Sequence, residues 1–206
     1  MVNPWKKIHL SDYENHMSLD SVKQLQSLNL IMKDQLSDYD VHTVMIMGIA
    51  GGNGLEHITN EKYQKVYGID INEEFLRSTS ERYKSLADIL VCLNIDIVTE
   101  TDKLPEAELL IANLLVEYVG YEAFTKALEK VKPQYVSCVV QINGDTTQWV
   151  SDSPYIHAFD ELDSVHHQME ENELTLAMKD VGYKLISKTK ESLPNGKSFV
   201  RLDYKI

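Results

Sequence analysis

Five runs of apolar residues, all before residue 143, set the architecture of this chain: 43–48 (TVMIMG), 65–70 (KVYGID), 88–93 (DILVCL), 108–115 (ELLIANLL) and 135–142 (YVSCVVQI). Each is dense in Val, Ile and Leu rather than alternating with polar positions, which is the pattern of strands covered on both faces. Between them, apolar positions recur at helical spacing over 55–63 (LEHITNEKY), 72–86 (NEEFLRSTSERYKSL) and 122–131 (EAFTKALEKV). Asn72 is placed to cap its helix, with Glu73 and Glu74 at the positive end of the helix dipole, and Pro133 stops the third helix. Strands alternating with helices imply crossover units and a mainly parallel sheet. The end of the chain leaves that alternation. Segments 181–193 and 197–206 flank Pro194-Asn195-Gly196, a tight connection open to antiparallel neighbours and closed to parallel ones. The expected fold class is α/β: a seven-stranded, mostly parallel, doubly wound sheet with an antiparallel C-terminal hairpin, in three α/β/α layers.

Two segments fall outside that core. Residues 18–36 carry apolar positions at helical spacing ahead of the first strand, so an added helix is expected within an N-terminal cap spanning 1–40. Residues 143–182 form a long excursion before the closing hairpin at 183–206, and excursions of this length in a compact domain are often lids or binding walls. With 206 residues and 43% hydrophobic composition, one domain over 1–206 is the expectation. The net charge of −12, with no Lys/Arg cluster longer than a pair, sets a field that opposes a phosphate backbone, so nucleic acid is not an expected partner. No stretch has signal-peptide character and none reaches the length of a membrane span, so a cytoplasmic protein without membrane association is expected. Cys92 and Cys138 sit in apolar strands, as small buried hydrophobes rather than as a disulfide framework or nucleophiles. No feature of the sequence sets an oligomeric state.

The chemistry begins at 48–54, GIAGGNG, which holds four of the nine glycines directly after the first apolar run. A bare turn between a buried strand and the next element lets backbone approach a ligand closely. The dinucleotide pattern G-x-G-x-x-G fails here, because counting from Gly52 and Gly54 places His57 at the third position. The stretch instead resembles the glycine loop of the class I S-adenosylmethionine-dependent methyltransferases, with Gly52 and Gly54 as the last two glycines. Ala50 stands where that family usually has its first glycine, and Gly48 where it usually has an acid that orients the cofactor's amino group. An alanine is a mild change there if its backbone dihedrals are negative.

The resemblance extends over 43–206 and implies S-adenosylmethionine as cofactor, bound across 43–142. It implies that Gly48, Ala50, Gly51, Gly52, Asn53 and Gly54 lie against the methionine moiety, and that Asp70, at the end of the second strand, accepts hydrogen bonds from the ribose hydroxyls. Asp96 would hold the adenine amino group, with Ile71 and Ile97 as apolar walls, and Asn113 and Leu114 would lie near the sulfonium. Candidates for the remaining tasks come from the segments outside the core. Tyr13 is a shield or hydrogen-bond partner for the sulfonium, His16 a base, and Met17 accompanies them. Glu117 and Tyr118 follow the fourth strand toward the same mouth, and Glu117 is a substitute for the acid absent at position 48. Trp149, Tyr155 and His157, with Phe159, are candidate walls of an acceptor pocket. Adjacent His166 and His167 point about 100° apart on a helix, so no metal site is expected. The fourth strand ends in ANLL rather than the Asn-Pro-Pro-Tyr type sequence associated with planar amide or base nitrogens. The expected function is methyl transfer to a small-molecule acceptor. A non-catalytic S-adenosylmethionine-binding or interaction protein and a nicotinamide-dependent Rossmann enzyme stand as alternatives.

Overall fold

The computed structural model describes residues 3–143 and 149–206; the stretch 144–148, which opens the expected excursion, lies outside the described residues. All five apolar runs are strands: β1 Thr43–Met47, β2 Lys65–Asp70, β3 Leu90–Asn94, β4 Leu109–Asn113 and β5 Tyr135–Ile142. The closing pair is β6 Lys184–Ser192 and β7 Ser198–Lys205. They form one sheet in the order β3-β2-β1-β4-β5-β7-β6. The first five pair in parallel, and β7 runs antiparallel to both β5 and β6, as the hairpin requires. The strand order reverses between β1 and β4, and ligands of open α/β sheets bind beyond the carboxyl ends of strands at such a point.

Alternate residues of each strand serve opposite faces. Met45 and Met47 of β1 pack with Leu110, Phe124, Leu128 and Leu174, whereas Val44 and Ile46 pack with Met32, Leu36, Val66 and Leu109. Helices supply both outer layers: α1 Leu10–Ser18, α2 Gln24–Ser37, α3 Glu73–Arg82, α4 Val116–Val131 and α5 Glu171–Asp180. Asn72 caps α3 as expected, its side-chain oxygen accepting from the backbone N–H of Glu74 and Phe75.

Several local expectations are corrected. The segment 18–36 is not one helix: α1 ends at Ser18, and α2 begins at Gln24 behind Lys23, whose φ of 55° breaks the run. Over 55–63 only the 3-10 turn Leu55–His57 forms. Its helix-like spacing comes from Leu55, Ile58 and Tyr63, all buried from an irregular backbone, with the Tyr63 hydroxyl donating to the Leu36 carbonyl at 2.6 Å. The third helical segment starts earlier than its pattern shows, at Val116, because Gly120 (φ 75°, ψ 167°) interrupts the periodicity inside α4. The helix expected through 86 stops at Arg82, followed by a separate 3-10 turn Lys84–Leu86. β3 lies at the sheet edge, so its residues are half-buried rather than covered on both faces, and Cys92 is only partly buried.

A buried polar ladder crosses the sheet beneath the crevice. Arg201 contacts Asp203 at 2.7 Å and Asp38 at 2.7 Å, and the Ser137 hydroxyl donates to Asp203. Gln35, fully buried on α2, donates to Ser137 Oγ at 2.9 Å and exchanges two amide hydrogen bonds with Asn113, at 2.9 and 3.0 Å. The end of β4 is thereby tied to β5, β7 and the second helix of the N-terminal segment.

Candidate active site

A cavity opens at the carboxyl ends of β1, β2 and β4. Of the residues singled out from the sequence, Gly48, Ala50, Asp70, Ile71, Asp96, Ile97, Asn113 and Leu114 line it, as do Tyr13, His16, Met17, Glu117, Tyr118 and Trp149.

Asp70 ends β2 at the centre of the floor. Its Oδ2 accepts from the Ala50 N–H and its Oδ1 from the Asn72 N–H, both at 2.9 Å. A carboxylate offers about four acceptor positions, so these bonds leave acceptor capacity for a ligand hydroxyl. Burial pushes its carboxyl up to about 6, against the pull of the Asn72, Ala50 and Ile71 N–H groups. To one side, Ile71, Ile95, Ile97 and Val98 make an apolar slot with Asp96 at its rim. Asp96 Oδ1 accepts from the Val98 N–H at 3.0 Å, so the local turn fixes the carboxylate. To the other side lie Gly48 and the Asn113-Leu114 end of β4. The Asn113 amide is held by Gln35, which leaves the strand end as a rigid rim.

The glycine turn is bare for a different reason than expected. Gly51, Gly52, Asn53 and Gly54 do not line the cavity. A Cβ on Gly52 would sit 2.8 Å from Tyr83 and one on Gly54 2.5 Å from Met32, with φ of +79° and +91°, so the helices packed behind the turn demand glycine there. Gly51 lies under the N-terminal segment, where Glu14 bonds Arg82 at 2.6 Å and Arg82 also donates to the Gly51 carbonyl at 2.7 Å. Position 48 has φ +71°, and Leu115 lies 3.2 Å from where a Cβ would be; both oppose an acidic side chain at that point. The condition for a mild alanine fails, since Ala50 has φ 47°. Ala50→Gly is therefore expected to stabilise the chain by about 1 kcal/mol, the left-handed penalty less glycine's extra chain entropy, read as a higher urea midpoint at unchanged slope.

The N-terminal segment roofs the cavity with rings. Trp5 meets Tyr118 edge-on at 4.8 Å and Tyr13 at 6.1 Å; Tyr13 in turn lies 5.9 Å from Phe75. Tyr118 meets Trp149 at 6.1 Å, and Trp149 stacks on His166 at 4.1 Å. Burial raises the hydroxyl pKa of both Tyr13 and Tyr118, so each remains a neutral donor. His16 bonds Ser153 at 2.7 Å, and burial together with Lys197 holds its imidazole down to about 4. Such a weak base is poorly matched to proton removal near neutrality. Glu117 is better matched: burial pushes its carboxyl up to about 8, against the Gln141 N–H and Lys197. Among the described residues, two buried side-chain polar atoms have no hydrogen-bond partner, Trp5 Nε1 and Glu117 Oε2, and both residues line this cavity.

Tyr155 and His157 do not line the cavity, and His157 is 89% exposed with its ring 3.2 Å from Asp160. Trp5, Gln24, Phe75 and Gln141 line it without having been singled out from the sequence. Trp5, one of two tryptophans in the chain and placed next to Lys6 and Lys7, is the one signal among them that the sequence carries. No group of side chains with metal-ligand character occurs among the described residues, and no helix is long and apolar enough to cross a membrane.

No family model and no curated protein matches the chain. Solved structures do. N-methyltransferase NodS from Bradyrhizobium japonicum WM9, in complex with S-adenosyl-L-homocysteine, aligns over 99% of this chain and 98% of its own, with TM-score 0.66 and 10% identity. Geranyl diphosphate methyltransferase in complex with S-adenosylmethionine aligns over 87% of this chain and 84% of its own, with TM-score 0.66 and 13% identity. The [4+2]-cyclase SpnF aligns over 87% and 82%, with TM-score 0.66 and 10% identity. The likeness is one of fold, and that fold is the seven-stranded Rossmann-like fold of the class I S-adenosylmethionine-dependent methyltransferases.

Proposed function

We propose that the chain binds S-adenosylmethionine in this cavity and catalyses transfer of its methyl group to a small-molecule acceptor. The observation that carries the reading is Asp70: a buried carboxylate with acceptor capacity left, between an apolar slot and the rigid end of β4. The ribose would lie on Asp70, the adenine between Ile71 and Ile97 with its amino group toward Asp96, and the methionine portion along Gly48 and Ala50. NodS, solved with S-adenosyl-L-homocysteine, and geranyl diphosphate methyltransferase, solved with S-adenosylmethionine, support the assignment.

When bound, the cofactor supplies a methyl group on an already activated sulfonium, so the protein's task is largely alignment and the exclusion of water. Tyr13 and Trp5 close the roof, and the Gln35–Asn113 amide pair fixes the strand end against which the reacting groups are aligned. His16, neutral and bonded to Ser153, holds the N-terminal segment to the excursion. The nicotinamide alternative is disfavoured by the turn itself. The N–H groups of Gly48, Ile49, Ala50, Gly52 and Gly54 are already bonded within the protein, and only a three-residue 3-10 turn follows, so the turn offers no helix N-terminus for a pyrophosphate.

Calorimetry on the full chain tests the reading. S-adenosylhomocysteine is expected to bind with a dissociation constant on the order of micromolar, about −8 kcal/mol, while NADH gives no heat. Absence of S-adenosylhomocysteine binding overturns the cofactor assignment. Binding without release of labelled methyl to any metabolite in a panel of amines, alcohols, thiols and carboxylates leaves a binding protein rather than an enzyme.

A further inference from the structure

At the end of the cavity next to the Asn113-Leu114 rim, Glu117 shares the lining with the rings of Tyr13, Tyr118 and Trp149. The other polar groups of that end are occupied by one another. Gln24 donates to the Gln141 side-chain oxygen, and the Gln141 amide donates to Asn143 at 2.8 Å and to the Trp149 carbonyl at 2.8 Å. Lys197, buried at the start of β7, also donates to the Trp149 carbonyl. Glu117 is 6% exposed, and its Oε2 has no partner among the described residues. A buried acceptor atom without a donor is costly to maintain, and a ligand N–H or O–H removes that cost. Tyr13 and Tyr118 are its aromatic neighbours, and Trp149 and Phe159 line the same cavity.

Resting on the cofactor assignment above, we propose that this end of the cavity is the acceptor site for a small primary or secondary amine, which enters as an ammonium and is held through its N–H groups by the Glu117 carboxylate among the rings of Tyr13, Tyr118, Trp149 and Phe159. Charge and shape both select it. An anionic acceptor without an N–H or O–H brings no donor to Glu117 and leaves its Oε2 unsatisfied. A neutral alcohol would satisfy one oxygen of Glu117 and gain little from the rings. An ammonium satisfies the carboxylate with charge-assisted hydrogen bonds and is attracted by the aromatic faces.

The same carboxylate solves the acceptor's protonation problem, since an ammonium has no lone pair with which to react. One proton passes from the ammonium nitrogen to the Glu117 carboxylate, giving a neutral amine and a neutral carboxylic acid, and it returns to solvent when the cavity opens. Burial holds the Glu117 carboxyl up to about 8, so in the empty site it carries a proton at neutral pH; the entering ammonium displaces that proton to solvent, and the carboxylate so formed takes one back from the ammonium nitrogen. The charged and titratable neighbours of Glu117 are Lys197 from the start of β7, Tyr118 from α4 and Tyr13 from α1.

The test titrates the full chain, saturated with S-adenosylhomocysteine, with benzylamine, benzyl alcohol and benzoate in the calorimeter. Benzylamine is expected to bind at least about tenfold more tightly than benzyl alcohol, and benzoate not at all. Glu117→Gln, which keeps the side chain's shape, is expected to abolish the preference while S-adenosylhomocysteine affinity stays within about threefold, because the carboxylate's interaction is with the amine alone. Trp149→Leu, which leaves the carboxylate in place, is expected to weaken benzylamine about fivefold and serves if Glu117→Gln does not fold. The proposal is overturned by any of three results: benzyl alcohol or benzoate binding as well as benzylamine, no benzylamine binding, or an undiminished preference in Glu117→Gln. A large loss of S-adenosylhomocysteine affinity in Glu117→Gln also overturns it, by assigning the carboxylate to the cofactor's amino group in place of the acid absent at position 48. Failure of the cofactor assignment is distinct, since the parent chain would then bind no S-adenosylhomocysteine.

Discussion

Asp70→Ala is expected to lower S-adenosylhomocysteine affinity by about a hundredfold or more, close to the limit of calorimetric detection. Hydrogen bonds to a charged acceptor contribute about 1.5–3 kcal/mol each, and the ribose would lose its bond to Asp70; a loss of about 3 kcal/mol corresponds to that factor. The change also frees the Ala50 and Asn72 N–H groups, so the variant's fold is checked by circular dichroism, and Asp70→Asn serves as the gentler probe. A pH signature accompanies it. Burial raises the folded-state pKa of Asp70 from 3.8 to about 6, so the stability it contributes is fully present below 3.8 and is lost as pH rises through 6. Ligand binding has the opposite sign, because the diol needs the carboxylate: affinity in the parent should climb between pH 5 and 7 and level off above, while Asp70→Asn shows no such step. A flat profile in the parent would remove Asp70 from the site.

The second large effect lies in the ladder below the crevice. Arg201→Met leaves Asp203, which is 2% exposed, with the Ser137 and Tyr39 hydroxyls as partners in place of a guanidinium at 2.7 Å. Removing one partner of a buried ion pair typically destabilises by about 3–5 kcal/mol, since the other charge is left uncompensated. Urea denaturation should show a loss of that size. Replacing both residues, Arg201→Met with Asp203→Leu, should recover much of it, because what is lost is compensation of a charge rather than the pair itself. Equal losses in the single and double variants would mean that packing, and not charge, holds this region.

Much of the frame was legible in the sequence for one physical reason. A strand covered on both faces must be apolar throughout, so β1, β2, β4 and β5 announce themselves, and a residue such as Asp70 or Asn113 at the end of such a run stands out because the pattern stops there. The edge strand β3 obeys the rule less well and is correspondingly half-buried. What was illegible depends on long-range packing. Leu55, Ile58 and Tyr63 are buried at helix-like spacing without a helix, because the core and not the backbone dictates where apolar side chains fall. The reasons for Gly52 and Gly54 lie with Tyr83 and Met32, distant in sequence. Trp5 joins the roof only through Tyr118 and Tyr13, and Tyr155 and His157 missed the cavity because the path of the excursion is not coded by local periodicity.

The ladder from Arg201 to Asn113 also determines how ligands come and go. It passes through Gln35, so α2 is bolted to the sheet and cannot lift away without rupturing buried bonds. The left-handed residue Lys23 marks where that anchorage begins. Ahead of it, α1 is moored by the Glu14–Arg82 pair, the His16–Ser153 bond, the Leu10 N–H on Glu74 and the buried side chains of Leu10 and Met17, without a charged ladder like that behind α2. Traffic into the cavity should therefore depend on a short door swinging about residue 23, and salt, which loosens exposed ion pairs first, should speed its opening while leaving the frame intact.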